Sequence, residues 1–247
     1  MGPVTPKSTR GLVLGPELGR GEHVKRGELD ASQAASERVA SRLRRDILDG
    51  VIAPGQRLRQ EEIAEQMGAS RLPVREALRM LERDGLVEIE VNRGARVPRR
   101  HSREVDLLYQ MRERLEPLAL AESMPRLDDI DLRHLEDIQG RIEAWPGVAE
   151  FLLLDREFHL LSYSRCAMEP LSSTVYRLWN ATQHHRRVYM TLTGATRQWV
   201  VNAEHNLLLD AVRRGDVIDA GLCLQSHIRR TRVELSHHPE IFDAAPG

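Results

Sequence analysis

The chain has 247 residues, enough for two modest domains, with 41% hydrophobic and 30% charged residues, an ordinary balance for a globular protein. No apolar run approaches the roughly 18 residues needed to span a bilayer, no secretory leader is recognisable, and two cysteines, Cys166 and Cys223, exclude a disulfide framework; a cytoplasmic protein with no membrane partner is expected. The net charge of −1 hides an asymmetry: residues 31–100 hold 14 Arg and no Lys against 11 acidic residues, while residues 101–247 hold 17 basic against 22 acidic, the pattern of a chain that presents one end to a polyanion.

Residues 1–30 are rich in Gly, Pro and isolated charges and read as a flexible tail. From about Ala34 the pattern changes: Val39, Leu43, Ile47 and Leu48 recur at helical spacing up to Gly50, and Pro54-Gly55 marks a turn. Ile63, Ala64 and Met67 define a second short helix that Gly68 closes. Ser70 is placed to cap a third helix, with Pro73 in its first turn and Val74, Ala77, Leu78 and Leu81 as its buried stripe. Asp84-Gly85 ends it. Leu86 to Ile89 then alternates like a strand, Asn92-Arg93-Gly94 forms a hairpin turn, and Ala95 to Val97 returns. This order spells a winged helix-turn-helix.

Everything after Pro98-Arg99-Arg100 reads as helix, over about 102–123, 128–144, 148–164, 168–190, 196–213 and 216–237, separated by Pro125, Pro146-Gly147, Glu169-Pro170, Gly194 and Gly215-Asp216. With only 4% aromatic residues, an aliphatic core of helix against helix is expected. The expected fold is therefore mostly α: a winged helix-turn-helix with a small β-hairpin wing over 31–100 and an all-α helical bundle over 101–240, with tails at 1–30 and 241–247.

Arg71, Arg75 and Arg79 are spaced by four on the third helix, so they share the face opposite its apolar stripe. Arginine there can bond N7 and O6 of guanine, and Ser70 with the helix N-terminus can hold a phosphate. On an isolated helix the same residues, with Glu76 and Glu82, would be a solvated ion-paired face; the turn before the helix and the wing after it favour DNA. The segments Ile47 to Gly50, Pro54 to Leu58, Ala69 to Leu78 and Leu81 to Val87 resemble the DNA-binding domain of the GntR family of bacterial regulators over roughly residues 34–98. Leu72 stands where that family usually has Thr, and Gln60-Glu61 where it often has Ser followed by Glu. The resemblance implies that Ser70, Arg71 and Arg75 touch bases and phosphates of a double-stranded operator, and that Arg93 and Gly94 of the wing enter the minor groove.

Asp155 and His159 lie four apart, which places a carboxylate and an imidazole on one helical face. His205 and His227 sit in separate predicted helices among aliphatic residues. Three imidazoles and one carboxylate suit Zn²⁺, Ni²⁺, Fe²⁺ or Mn²⁺, although a histidine on a partly apolar face is more often a hydrogen-bonded core residue. The tandem pairs His184-His185 and His237-His238 read as surface or tail residues, and His134 has no partner at useful spacing. Arg112 to Pro117, Asp155-x-x-Phe158-His159, Glu204-His205, Ala211-Val212, Gly215-Asp216, Ala220 and His227 resemble the FCD effector domain of the FadR subfamily over about residues 104–236. In its metal-binding members the positions matching Asp155, His159, His205 and His227 hold a divalent cation, and effectors are commonly small organic or sugar acids. Arg112 is the candidate to pair with an effector carboxylate, with an ion pair to Glu116 one turn on as the alternative. Asn202, three residues before His205, is the candidate to line the cavity. The function this implies is a homodimeric, metabolite-responsive transcriptional repressor without enzymatic activity. Two other readings are a metalloenzyme, which needs an acid or base beside the metal that Glu157 and Glu204 do not supply on helical geometry, and an architectural DNA-binding protein whose helical domain only dimerises.

Overall fold

Helix α1 (Arg20–Leu48) turns Val39, Ala40, Leu43 and Ile47 to one side at three- and four-residue spacing, and all four are buried. The computed structural model, which describes residues 20–90 and 94–243, packs that stripe on α3 (Arg71–Arg83). Between them lies α2 (Gln60–Met67), which ends on Gly68 in the left-handed conformation (φ +59°), where a side chain would strain the backbone. Helix α3 buries Pro73, Val74, Ala77, Leu78 and Leu81; each large aliphatic among them contributes about 1.5–3 kcal/mol by leaving water.

Strands β1 (Arg57–Leu58), β2 (Glu88–Glu90) and β3 (Gly94–Arg96) form an antiparallel sheet in the order β1-β3-β2, with Leu58 opposite Ala95 and Glu90 opposite Gly94. The expected two-stranded wing is present as β2 and β3, and β1 adds a third strand to it. A two-residue strand carries no alternation to read, so β1 has no sequence signature of its own. Leu86 and Val87, expected at the start of the second strand, are buried core residues that precede it.

Two further expectations change. Residues 20–30, assigned to a tail for want of an apolar period, belong to α1; helix growth is cooperative, so turns added to an existing helix escape the cost of nucleation. Ser70 occupies the N-cap of α3 with extended φ/ψ, yet its side chain makes no capping hydrogen bond. Arg93 and residues 1–19 lie outside the described residues.

The second core is entirely helical: α4 (Ser102–Ser123), a 3-10 turn (Met124–Arg126), α5 (Asp129–Glu143), α6 (Val148–Ser162), α7 (Glu169–Thr193), a 3-10 turn (Gly194–Arg197), α8 (Gln198–Arg213), α9 (Val217–Ser236) and α10 (Glu240–Asp243). The breakers read from the sequence fall at these joints. His101 and Asp128 close capping boxes on α4 and α5, satisfying amides that have no intrahelical partner. Trp179, Tyr109, Phe151 and Phe158 are its largest fully buried side chains. Among the described residues no helix is long and apolar enough to cross a membrane. The two cores meet where α7 lies against α1. His185, expected at the surface, is buried against the Phe242 ring, with its Nε2 3.3 Å from the Arg100 carbonyl.

Candidate nucleic-acid interface and candidate metal centre

The outer face of α3 carries Arg71, Arg75 and Arg79 with side chains 72%, 52% and 60% exposed. In the protein alone each has a carboxylate nearby: Arg71 lies 3.2 Å from Glu61, Arg75 3.6 Å and Arg79 3.0 Å from Glu76. Exposed pairs of this kind hold side chains weakly, so DNA phosphates can displace them. Beside α3 runs a groove of about 570 Å³ lined by Arg57, Arg59, Arg75, Arg79, Ile89 and Gly94, among others. Arg57 and Arg59 were not singled out from the sequence; their only signal was two arginines flanking Leu58. Gly94 has a structural reason to be glycine, since its φ is +85° and a Cβ would stand 2.4 Å from the Leu58 carbonyl oxygen.

In the helical domain, α6 supplies Asp155 and His159, α8 supplies His205 and α9 supplies His227. One ligand atom from each lies within 4.8 Å of the others, and all four residues are buried. The imidazole centroids form a nearly equilateral triangle with sides of 5.0–5.1 Å. Each Nδ1 is engaged from outside. His205 Nδ1 is 2.8 Å from Gln139 Oε1, His227 Nδ1 is 2.9 Å from Glu204 Oε2, and His159 Nδ1 is 3.2 Å from the Tyr163 hydroxyl. That hydroxyl donates to Glu116 Oε2 at 2.7 Å. An Nδ1–H donated outward leaves the Nε2 lone pair facing the centre, the tautomer a metal ligand needs. His159 Nε2, His205 Nε2 and Asp155 Oδ1 are buried without a hydrogen-bond partner. Three buried acceptors converging without donors are costly in a protein core. A divalent transition metal would satisfy them together, so the donor set fits such an ion.

The electrostatics agree. Burial holds the His159 imidazole well below its usual value and pushes His205 down to about 3 and His227 to about 4. All three are neutral near pH 7, as ligation requires. Burial would raise the Asp155 carboxyl, but the Arg186 guanidinium and the neighbouring imidazoles outweigh it and hold it below the usual range.

Two arginines approach this centre. Arg112, 3% exposed, pairs through Nε with Glu116 Oε1 at 2.5 Å, donates to Thr182 Oγ1 at 3.0 Å, and lies over the Trp179 ring; the ion pair weighed as its alternative role is present. Arg186 of α7 pairs directly with Asp155 Oδ2. Sequence reading missed it, because nothing along α7 marks one arginine of a tandem pair as inward-facing. A small cavity of about 40 Å³ adjoins His227 and is lined by Arg186, Tyr189, Arg197, Glu204 and Arg230, among others. Asn202 is not among its lining residues; its Oδ1 is buried and lacks a hydrogen-bond partner. Glu204, considered as an acid or base, is instead the carboxylate that orients His227, and Glu157 lies 3.3 Å from His134, giving that histidine the partner its sequence spacing did not reveal.

Comparison with known proteins matches both halves. Residues 35–97 match the model of the gntR family of bacterial regulatory proteins, and residues 107–230 match the FCD domain. The chain is 31% identical over 213 residues to an HTH-type transcriptional regulator in an unstable DNA locus of Streptomyces ambofaciens, covering 83% of this chain and 89% of that protein. It is 26% identical over 219 residues to the HTH-type transcriptional repressor RspR of Escherichia coli (strain K12), covering 85% and 95%. Among solved structures, E. coli McbR/YncC superimposes with a TM-score of 0.72 at 25% identity, over 83% of this chain and 98% of that one.

Proposed function

Because the chain belongs to the GntR family of bacterial transcriptional regulators, with the FCD domain of the FadR subfamily, we propose that it is a repressor released from its operator by a small organic or sugar acid bound beside a divalent metal. The family is one of regulators and not of enzymes, which sets aside turnover at the centre. The observation that carries the sensing half is the convergence of unpartnered Nε2 and carboxylate atoms of Asp155, His159 and His205, beside His227, under a domain that displays arginines to DNA. An architectural protein that only dimerises has no use for buried polar atoms left unsatisfied.

Asp155, His159, His205 and His227 would hold the metal, with Gln139, Glu204 and Tyr163 fixing the rings. When bound, the ion supplies a Lewis-acidic position for a carboxylate oxygen. Arg186 already meets one carboxylate, that of Asp155, and the same guanidinium suits that of an incoming acid. Arg112, held by Glu116 and Thr182, stiffens the wall behind His159, since Glu116 also accepts from Tyr163. Asn202 contributes its spare amide oxygen. A cavity of about 40 Å³ has room for little more than one water, so entry of an acid displaces side chains around it, and the acid's preference for the opened form shifts the protein between states. On the DNA side, Ser70, Arg71, Arg75 and Arg79 with the wing residues Arg93 and Gly94 form the reading surface. A cytoplasmic homodimer places two such surfaces on a two-fold operator.

Fluorescence anisotropy tests this with a duplex selected by the protein itself, titrated with metal-loaded protein in the presence of lactate, citrate or gluconate. At least one acid is expected to weaken DNA binding tenfold or more, and Asp155→Ala to abolish that response. If small acids of this class leave DNA affinity unchanged, the sensing half of the proposal is wrong.

A further inference from the structure

We infer that Asn180 of α7 is the positioning residue through which the acid–imidazole centre sets the recognition helix. The inference rests on reading that centre as the sensing site, and it assigns the route by which its occupancy reaches DNA.

Two pairs of neighbouring residues carry the argument. Successive side chains on a helix diverge by about 100°, so one residue of a pair can enter the core while the next leaves it. On α6, Asp155 faces the centre, and Arg156 turns away to donate from Nη2 to Asn180 Oδ1 at 2.6 Å. On α7, Arg186 meets Asp155, and Arg187 turns away to donate to the Leu48 carbonyl, with Asp49 Oδ1 3.7 Å off. Both outward residues lead to the DNA-binding domain.

Asn180 joins the first of these routes to α3. Its Nδ2 donates to the Asp84 carbonyl at 2.8 Å, and Asp84 is the C-cap of α3. The Asp84 carboxylate is tied in turn to Arg44 of α1 at 2.5 Å. Arg187 grips the last residue of α1, and a Cβ on Gly50 would stand 3.1 Å from its Cδ, so the guanidinium lies against the chain there. Carbonyls at helix C-termini lack intrahelical partners, which makes both carbonyls receptive to a donor from another domain. Asn180 is 6% exposed and uses both ends of its amide, accepting from α6 and donating to α3. Neither a carboxylate nor an aliphatic side chain can do both. A change at Asp155 or Arg186 that turns α6 against α7 is therefore delivered to the end of the recognition helix.

Intermediacy in space is not coupling, so the test measures coupling. Full-length protein, chelator-treated or loaded with Zn²⁺, is followed by hydrogen exchange of peptides covering residues 78–88, with Zn²⁺ affinity measured by competition. Zn²⁺ is expected to change exchange there at least threefold in the wild type. Asn180→Ala should bind Zn²⁺ within twofold of wild type while the change at 78–88 falls below 1.5-fold. Asn180→Asp keeps an acceptor for Arg156 but sets a carboxylate oxygen against the Asp84 carbonyl in place of the donor, and it should lose the response as well. A response retained in both variants, or a wild type that binds Zn²⁺ with no change at 78–88, overturns the inference and leaves the metal reading standing. A wild type that binds no Zn²⁺ counts against the metal reading instead. Coupling is then decided by Asp155→Asn, which must alter exchange at 78–88 in the wild-type background and not alongside Asn180→Ala.

Discussion

His159, His205, His227 and His185 are buried imidazoles that the fold keeps neutral, and burial is the first cause in each case, with His185 also pushed down to about 4. Their unfolded value is about 6.5. Below that pH the unfolded chain takes up protons that the folded chain refuses, His227 and His185 until about 4, His205 until about 3 and His159 until well below its usual value, so stability falls as pH drops through this window. Asp155 is depressed too, but its contribution is lost only lower, as pH falls through its folded value. Urea titrations of the metal-free protein are expected to be flat above pH 7 and to lose stability between pH 6.5 and 4, more steeply than the roughly 1.4 kcal/mol per pH unit of one group. A flat profile across that interval would mean the imidazoles are not held neutral. Gly94 is the other residue whose identity is dictated: at φ +85° with the Leu58 carbonyl 2.4 Å from a would-be Cβ, Gly94→Ala should cost on the order of 1–3 kcal/mol. Its urea midpoint, with a matched loss of DNA affinity, checks this.

At the scale of one element, α3 competes with itself. Glu76 lies within 3.6 Å of Arg75 and 3.0 Å of Arg79, so part of the charge proposed to meet DNA is already paired in the protein alone. Glu76→Ala should strengthen non-specific duplex binding several-fold and flatten with rising salt, as exposed charge effects do. Arg75→Ala should weaken selected-duplex binding by about 1–3 kcal/mol if the guanidinium reads a base, and should relax the preference at one position; a uniform loss with a salt slope smaller by about 1 would place it on a phosphate. This helix was fully legible in the sequence, because its stripe, its N-cap position and Pro73 all agree. The long helices after residue 101 were legible too, since Pro and Gly separate them, whereas the first turns of α1 were not. β1 was not, because two residues carry no period. The acid–imidazole cluster was half legible: Asp155 and His159 announce themselves at four-residue spacing, whereas His205 and His227 could be grouped with them only by residue type and by the family resemblance, their spacing along the chain giving no sign of the packing of α6, α8 and α9 that brings them together. Arg186 and Asn180 were illegible, because their partners are 31 and 96 positions away and nothing local distinguishes them.

At the scale of the whole molecule, α4 and α9 together present a face with several exposed apolar side chains. On α4, Leu107, Met111 and Leu118 are 44%, 44% and 50% exposed, and at 100° per residue they fall within about 40° of one another. Helix α9 packs beside α4 in the opposite direction, with Gly221 against Pro117 and Arg232 reaching Asp106 and Glu113. It adds Ile218 and Leu222, 77% and 60% exposed, at the Leu118 end. Scattered exposed leucines need no explanation, but two adjacent apolar stripes at helical spacing do. The homodimer proposed above would cover this face, because a two-fold axis through α4 would lay each stripe on its twin. Pairing the helical domains also ties the two DNA-reading heads together, so a dimer that reads two half-sites binds far more tightly than one head alone. Sedimentation of the wild type is expected to give twice the 28.1 kDa chain mass, and Met111→Glu with Leu118→Glu to give the single chain. The same variant should retain its helical signal and its Zn²⁺ affinity while losing selected-duplex affinity by two or more orders of magnitude. A variant that stays dimeric would put the interface elsewhere on the molecule, and one that becomes monomeric with DNA affinity unchanged would mean that a single head is sufficient.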